Sequence, residues 1–393
     1  MATVFTPEHS PLDRIFAADT TYRIPAYQRP YSWQAVGKSE RDNQVVQMWQ
    51  DLSSFFEDNR QNNKEYFLGS MVIVEDKDKL RTFEVIDGQQ RLTTLLLLFA
   101  AMRCFLREVE RMPGGFPDGS KERTWLARSI QKLESFLYNE EGPSMLAALK
   151  LKVERTLGVN FNQVLERAVA CEGDVVGGDN LDKKHREITA RYFKNRDYFL
   201  TSLRAGFLPP GGAQLDLLKL DEFFAFLRTR VALVLIKTSD FSTAYRIFEI
   251  LNNRGLPLSN LDLLRNFVLE QLTEAKVPKP DELWERLESQ FTFTEDFIGR
   301  WTESVNAAQP QASSFNDAKR LFEDRYRDSP TEKKIDLFYR DLEQNLSFYN
   351  LIIEEDERIE DVGICRAVSF IKLLAPNAPG LFGAFAHDFR LDR

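Results

Sequence analysis

The stretch Phe-Glu-Val-Ile-Asp-Gly-Gln-Gln-Arg, at positions 83–91, constrains the fold more than any other part of the sequence. Its apolar residues predict a short buried strand that ends at the turn signal Asp87-Gly88. A long helix is predicted from Leu92 to about Glu110, and its first half is apolar on nearly all sides, which is typical of a buried helix. The start of a helix presents free backbone N–H groups and the positive end of the helix dipole, so this turn is a candidate anion site.

Three polar side chains lie inside this strand–turn–helix segment. Arg91 could bind a phosphate through two parallel hydrogen bonds, and Gln89 and Gln90 precede it. The simpler alternative is an ordinary helix cap on a solvated loop. We favour a site, because nothing in folding requires two amides and an arginine between a buried strand and an apolar helix.

A second segment, Ile-Pro-Ala-Tyr-Gln-Arg-Pro-Tyr-Ser-Trp at positions 24–33, is dense in rigid aromatic and hydrogen-bonding groups. Its two prolines predict extended or turning backbone. The spacing fits a turn packed on the fold and a surface for a base, sugar or phosphate equally well, since aromatic rings stack on bases and arginine pairs with phosphate. The candidate binding residues are Tyr27, Gln28, Arg29, Tyr31 and Trp33.

A third segment, Ala244–Gln271, reads as two helices joined at a corner. The first helix is predicted to end at Asn252-Asn253-Arg254-Gly255, and the second to begin at Ser259. A well-capped corner explains this spacing fully, but it does not explain why Glu249, Asn252 and Arg254 cluster there.

Hydrophobic periodicity predicts an α+β class, with strands and helices over most of the chain and only helices from about Val277. Two strands, Tyr66–Val74 and Arg81–Ile86, are expected to form a hairpin, and Val231–Ile236 is a third strand. The other predicted helices are Gln44–Phe56, 122–138, Phe161–Ala170, 185–204 and Asp216–Arg228.

Composition excludes several classes of protein. The formal net charge is −8, whereas a protein that simply coats nucleic acid is usually basic, so any DNA contact has to come from a local patch. The scattered cysteines Cys104, Cys171 and Cys365 argue against a disulfide framework and a zinc site, and they fit a reducing, cytoplasmic setting. No signal pattern or membrane-length apolar run is present, and three distant histidines form no metal-nuclease pattern.

Three segments, in this order, resemble the N-terminal domain of GmrSD-type modification-dependent restriction proteins, a group that includes SspE-like antiphage proteins. They are Ile-Pro-x-Tyr-Gln-Arg-Pro-Tyr-Ser-Trp, Asp-Gly-Gln-Gln-Arg-Leu-Thr-Thr, and Phe-Glu-x-Leu-Asn-x-Arg-Gly-x-x-Leu-Ser-x-x-Asp-Leu-Leu-Arg-Asn. The match is good over about residues 10–110 and 230–270. The second and third motifs together are specific, whereas Tyr-Gln-Arg by itself would not be.

The resemblance implies a ParB/sulfiredoxin-like core, a small mixed sheet surrounded by helices, in residues 1–270. This core would have helical insertions at about 111–228 and would be followed by a helical region at 271–393. The implied function is an NTP-hydrolysing sensor, with GTP favoured and Mg²⁺ possible, that responds to phosphorothioate or glucosylated double-stranded DNA. Such proteins usually carry a C-terminal His-Asn-His-type nuclease domain, for which this chain lacks the histidines, so we expect the nuclease elsewhere. Assembly into a homo-oligomer is left open, and no membrane partner is expected.

The resemblance also implies roles for residues at matching positions. Catalysis falls to Asp87, Gln90 and Arg91, where arginine would neutralise charge on the transferred phosphoryl group. Asp87 or Glu249 could hold Mg²⁺ through carboxylate oxygens, although no metal site made by the protein alone is assigned. The implied nucleotide-binding residues are Gly88, Gln89, Thr93, Asn252 and Arg254, and those implied for DNA or its modification are Tyr27, Gln28, Arg29, Tyr31 and Trp33.

Two alternative functions stay open on the sequence. One is a nucleotide-switched DNA-binding module without catalysis. The other is a nicking nuclease that acts through this fold alone.

Overall fold

The structure is a computed structural model. Its description covers most of the chain up to residue 353, with gaps. The described residues are 6–17, 19–25, 28, 30–35, 43–76, 79–112, 116–141, 146–154, 160–172, 183–208, 215–238, 243–244, 247, 260–275, 277, 280–291, 297–299, 301–302, 314–325 and 329–353.

The chain divides into two compact units, residues 1–251 and 252–393. The first unit contains a six-stranded mixed sheet with helices, which confirms the predicted α+β class. The predicted domain limits, 1–270 and 271–393, stay a prediction.

The sheet has the strand order β1-β8-β3-β4-β2-β7. A separate two-stranded sheet pairs β5 with β6. The strands are β1 (Thr6–Pro11), β2 (Thr21–Ile24), β3 (Tyr66–Glu75), β4 (Thr82–Asp87), β5 (Tyr138–Glu141), β6 (Leu146–Leu149), β7 (Leu151–Val153) and β8 (Val231–Thr238).

Three neighbouring strands run in the same direction. β2 pairs in parallel with β4 on one side and with β7 on the other. Because parallel strands end at the same edge, the residues that follow Ile24, Asp87 and Val153 meet there. Open sheets of α/β proteins bind their ligands at the carboxyl ends of parallel strands, so this edge is where a site is expected.

Helices cover the sheet of the first unit. The central one is α3, whose residues from Leu92 to Leu106 are buried, and α4, α5 and α6 all pack against it. The helices of this unit are α1 (Leu12–Ile15), α2 (Gln44–Asp58), α3 (Gln89–Glu110), α4 (Lys121–Leu137), α5 (Phe161–Val169), α6 (Lys183–Phe207) and α7 (Leu217–Thr229).

The predicted hairpin and the buried third strand are confirmed. β3 and β4 pair antiparallel, and β8 lies between β1 and β3. The start of the central helix differs from the prediction, because α3 begins at Gln89 and not at Leu92. Gly88 takes a left-handed conformation, which turns the chain so sharply that the next residue is already helical.

The sequence analysis missed β1 and β2. β1 contains Pro7 and Pro11, which argue against a strand because proline lacks a backbone N–H. β1 lies at the edge of the sheet, where it pairs antiparallel with β8, and an edge strand tolerates proline. β2 is only four residues long and is too short for its alternation to stand out.

The structure describes four long helices in the second unit. Their shared core is aromatic, since the Phe267 ring packs edge-on against Phe315, Phe322 and Phe338. The helices are α8 (Asn260–Glu274), α9 (Pro280–Gln290), α10 (Ser314–Arg325) and α11 (Thr331–Ile353).

One cysteine pair differs from the sequence analysis, in which the scattered cysteines argued against a disulfide framework. Cys104 in α3 and Cys171 just after α5 form a disulfide, with Cα atoms 6.5 Å apart and 67 residues of separation. Sequence spacing could not reveal this pair, because only the packing of α5 on α3 brings the two residues together. Among the helices that the structure describes, none is long and apolar enough to cross a membrane.

Candidate functional site

A narrow cleft lies where the carboxyl ends of β2 and β7 meet the N-terminus of α3. It is bounded by α3, by the chain after β2 and by residues of β7, α5 and α6. The lining residues are Ile24, Gln28, Pro30, Tyr31, Gln89, Gln90, Thr93, Val153, Phe161 and Tyr192. Four of the residues predicted for nucleotide or modification binding, Gln28, Tyr31, Gln89 and Thr93, therefore face one space.

The turn into α3 depends on glycine at position 88. Gly88 is the N-cap residue, with φ of 93°, and it supplies no side-chain cap to the helix. A Cβ atom built on Gly88 would lie 2.9 Å from Cγ and 3.1 Å from Cβ of Met71. Both the backbone conformation and the available space therefore exclude a side chain at position 88, so the N-cap residue itself offers no capping group to the first N–H groups of α3.

Two glutamines form a hydrogen-bonded relay across the floor of the cleft. Gln28 Nε2 donates to the carbonyl of Ile86 at 3.0 Å, and Gln89 Nε2 donates to Gln28 Oε1 at 2.9 Å. The relay fixes the orientation of the Gln89 amide in the wall of the cleft. Thr93 is buried beside it.

Gln90 holds the segment that follows β2, residues 30–35, which we call the aromatic loop. Its Oε1 accepts hydrogen bonds from the backbone N–H of Ser32 at 2.8 Å and of Trp33 at 3.2 Å. Its Nε2 donates to the Pro30 carbonyl at 3.3 Å. In this arrangement the Gln90 amide is occupied by the loop, and the catalytic role predicted for Gln90 stays a prediction.

Arg91 points away from the cleft. Successive helical residues are about 100° apart, so Arg91 projects from the side of α3 opposite Gln89 and Thr93. Its Nη1 donates to the Ser70 carbonyl at 2.5 Å. The guanidinium lies across Gly69, where a Cβ atom would be only 3.2 Å from Arg91 Cζ.

Two residues of α6, which the sequence analysis did not single out, complete the site. Asn195 is fully buried and makes three hydrogen bonds to the aromatic loop. Its Nδ2 donates to the Tyr31 hydroxyl at 2.9 Å and to the Trp33 carbonyl at 2.8 Å. Its Oδ1 accepts from the backbone N–H of Ala35 at 2.8 Å. Arg191 Nη1 donates to the Tyr31 carbonyl at 3.3 Å. A polar residue inside an apolar helical stripe was the available signal for Asn195.

Tyr31 is a supporting residue of the loop in this structure. It is buried, its hydroxyl lies 2.7 Å from the Thr94 hydroxyl, and its ring packs 4.9 Å from the Tyr192 ring. Burial raises the pKa of Tyr31 and, even more strongly, that of Tyr192. Both phenols are therefore neutral near pH 7, and the cleft lining carries no formal charge.

The cleft is nearly closed. Its walls leave about 10 Å³ for the centre of a water molecule, roughly the room that a single water needs. A nucleotide would therefore have to rest at its mouth, beside the start of α3, or displace the aromatic loop.

The remaining predicted residues are placed as follows. Asp87 is the last residue of β4 and is partly exposed. Trp33 packs against the core from the aromatic loop. Within the described parts of the chain, no group of three or more His, Cys, Asp or Glu side chains could hold a metal ion. Tyr27, Arg29, Glu249, Asn252 and Arg254 lie outside the described residues.

The family is decided by a match to residues 12–269, which cover five of the six strands of the sheet, the cleft and the helices around them. The matching family model is that of the GmrSD restriction endonuclease, N-terminal domain. The chain belongs to this GmrSD N-terminal family. Membership confirms the resemblance carried by the three motifs, and a restriction family implies interaction with DNA. No curated protein matches the chain.

Proposed function

We propose that this GmrSD N-terminal chain is the NTP-hydrolysing sensor of a DNA-modification-dependent restriction system. In this proposal the nucleotide binds at the start of α3, and its hydrolysis is coupled to recognition of phosphorothioate or glucosylated DNA. GTP is the favoured nucleotide. A His-Asn-His-type nuclease domain or subunit would cut the DNA.

The observation that carries the proposal is the N-terminus of α3, whose N-cap residue is the side-chain-free Gly88, at the carboxyl ends of parallel strands. Gly88 lets the chain turn directly into the helix, so the N–H groups of Gln89, Gln90 and Arg91 come before the first helical hydrogen bond, which Leu92 makes to Gly88. Such N–H groups and the helix dipole favour phosphate oxygens. Gln89 Oε1 and the Thr93 hydroxyl supply neutral hydrogen-bonding groups beside them.

Asp87 and Arg91 would supply the charged groups of the reaction. Phosphoryl transfer needs stabilisation of charge on the transferred group, and Arg91 would supply it after leaving the Ser70 carbonyl. Mg²⁺ commonly binds through one or two carboxylates together with substrate phosphates. Asp87 is the candidate carboxylate because it directly precedes Gly88.

A second candidate function is a nucleotide-operated switch without hydrolysis. The position of Arg91 favours it, since the guanidinium is bound to Ser70 on the side of α3 away from the cleft. Gln90 favours it too, because its amide is occupied by the aromatic loop. In this version nucleotide binding would only move the aromatic loop.

The two functions are separated by measuring phosphate release and nucleotide-induced thermal stabilisation on the same proteins. The substitution Arg91→Ala should abolish phosphate release while the stabilisation by nucleotide persists. Arg111→Ala is the matched control, because Arg111 is exposed and directly follows the far end of α3, and it should leave turnover unchanged.

Three results would count against the proposal. Stabilisation of the wild type by nucleotide without phosphate release, with or without modified DNA, would establish the switch instead. Absence of both effects would rule out both functions. Full turnover by the Arg91→Ala variant would remove Arg91 from the mechanism.

A further inference from the structure

The first half of α6 is basic in an acidic protein. Between residues 183 and 197 six basic residues stand against two acidic ones, although the whole chain has a formal net charge of −8. Arg191 and Lys194 lie on one side of this helix, next to the residue that fastens the aromatic loop, Asn195. We call these two side chains the α6 basic face.

Arg191 has hydrogen-bonding capacity to spare. It is partly exposed and gives one N–H to the Tyr31 carbonyl at 3.3 Å, whereas a guanidinium carries five N–H donors. No carboxylate of the described residues forms an ion pair with it. Arg191 can therefore hold the aromatic loop and bind an anion at the same time.

Lys194 is exposed and also forms no ion pair with any described residue. Two other cations of α6 are neutralised, since Arg196 pairs with Asp197 at 2.7 Å and Arg204 pairs with Glu108 at 2.5 Å. Arg191 and Lys194, which form no ion pair with a described residue, therefore place positive charge beside the aromatic loop.

We propose that the α6 basic face contacts the phosphate backbone of duplex DNA that is presented to the aromatic loop. The inference rests on the proposed function, because it names the surface that holds the DNA partner. Phosphate contacts fix the register of a protein on DNA without reading its sequence. Since Arg191 also holds the Tyr31 carbonyl, a phosphate on its guanidinium would act directly on the loop that closes the cleft.

The test is the salt dependence of DNA binding, measured by fluorescence anisotropy with short plain, phosphorothioate and glucosylated duplexes. Log affinity falls with log salt, and each lost phosphate contact makes this negative slope shallower by about 0.9. The variants Arg191→Ala and Lys194→Glu should each make the slope shallower by about one and weaken binding to all three duplexes by a similar factor. Lys194→Glu changes only an exposed side chain, so it tests the proposal even where Arg191→Ala disturbs the loop.

Two matched variants sharpen the test. Arg128→Ala removes an exposed cation from α4 and should leave the slope unchanged. Glu187→Gln removes an exposed acidic group one helical turn before Arg191, and it should strengthen binding to every duplex because a carboxylate repels phosphate.

The outcomes separate the inference from the proposed function. Wild-type binding with unchanged slopes in both α6 variants would overturn the inference alone. Shallower salt slopes in the two α6 variants, together with no NTP hydrolysis by the wild type, would support the inference and contradict the proposed sensor. If the two α6 variants lose the thermal stabilisation by nucleotide but bind DNA as the wild type does, the α6 basic face binds nucleotide phosphate, and the inference is overturned. A wild type that binds none of the three duplexes would overturn both.

Discussion

At the residue scale, Gly88 sets the geometry of the candidate site. It connects β4 to α3 with φ of 93°, and Met71 lies so close to it that no side chain fits. The same tight turn brings the backbone N–H groups of α3 to the mouth of the cleft. One residue therefore links the fold of the hairpin to the proposed phosphate contact.

Substitution of Gly88 by alanine should destabilise the protein and weaken nucleotide binding. The left-handed conformation costs roughly 1–2 kcal/mol for a residue with a Cβ, and the contact with Met71 adds about 1–3 kcal/mol of overpacking. Gly119→Ala is the control, because Gly119 also has a positive φ, of 79°, but a Cβ atom there would have no neighbour within 4 Å. Denaturant unfolding should show the larger loss for Gly88→Ala, and equal losses would refute the packing argument.

Lys150 gives the fold a pH dependence. Its side chain is buried, and this burial lowers the pKa of Lys150 to about 8, while its Nζ donates to the Ala17 carbonyl at 2.5 Å. An unfolded chain keeps the ordinary pKa of about 10.4, so between these values the unfolded state binds more protons. The free energy of unfolding therefore rises with pH in this window.

The expected gain between about pH 7.5 and pH 9.5 is roughly 2 kcal/mol for the wild type relative to Lys150→Met. Urea unfolding of both proteins at the two pH values measures it. Both proteins contain the same buried tyrosines, so the contribution of these tyrosines to the pH dependence of unfolding cancels in the comparison. A constant difference between the two proteins would show that Lys150 titrates normally.

At the element scale, α5 is held against α3 by a buried arginine and one covalent bond, and against α6 by a second buried arginine. Arg103 of α3 donates to the Val169 carbonyl at 2.8 Å, and Arg196 of α6 donates to the Ala168 carbonyl at 3.1 Å. The disulfide from Cys104 to Cys171 closes the same region. Phe161 of α5 lines the cleft, so the attachment of α5 bears on the site.

Reduction of the disulfide should lower the free energy of unfolding by roughly 2–4 kcal/mol. The Cys171→Ser variant should match the reduced wild type and respond no further to a reducing agent. Thermal unfolding with and without a phosphine reductant measures both effects. If the melting temperature of the wild type is unchanged after the thiols have been shown to be fully reduced, this role of the disulfide is contradicted.

Sequence periodicity predicted the elements whose own residues carry the pattern. The β3–β4 hairpin, β8 and the long helices have strong alternation or helical spacing, and the structure confirms them. β1 was missed because its prolines are tolerated only at a sheet edge, and edge position is decided by the pairing of distant strands. The disulfide was missed for the same kind of reason, since it depends on how α5 packs.

The candidate site was predictable on two of its sides. The motifs at residues 24–33 and 87–91 do meet, joined by Gln90 and by the relay from Gln28 to Gln89. The side formed by α6 was not predictable, because Asn195 and Arg191 meet the aromatic loop only after α6 has packed against α3. Nor could sequence reasoning foresee that Arg91 turns onto β3.

At the scale of the whole molecule, charge is distributed unevenly. The chain is acidic overall, while the start of α6 beside the aromatic loop is basic. Under the proposed function, this arrangement would limit DNA binding to one region and make it sensitive to salt. Recognition of a modification and hydrolysis of a nucleotide would then meet at the aromatic loop, which contacts both α6 and the start of α3.

The most direct test of the proposed function is phosphate release by the purified wild-type chain with each of the four NTPs, in the absence of DNA and with plain, phosphorothioate and glucosylated duplexes. We predict turnover of at least one nucleotide, with GTP favoured, and a higher rate with one modified duplex than with the plain one. Absence of phosphate release under every one of these conditions would contradict the central claim that the start of α3 is the site of a modification-dependent NTPase.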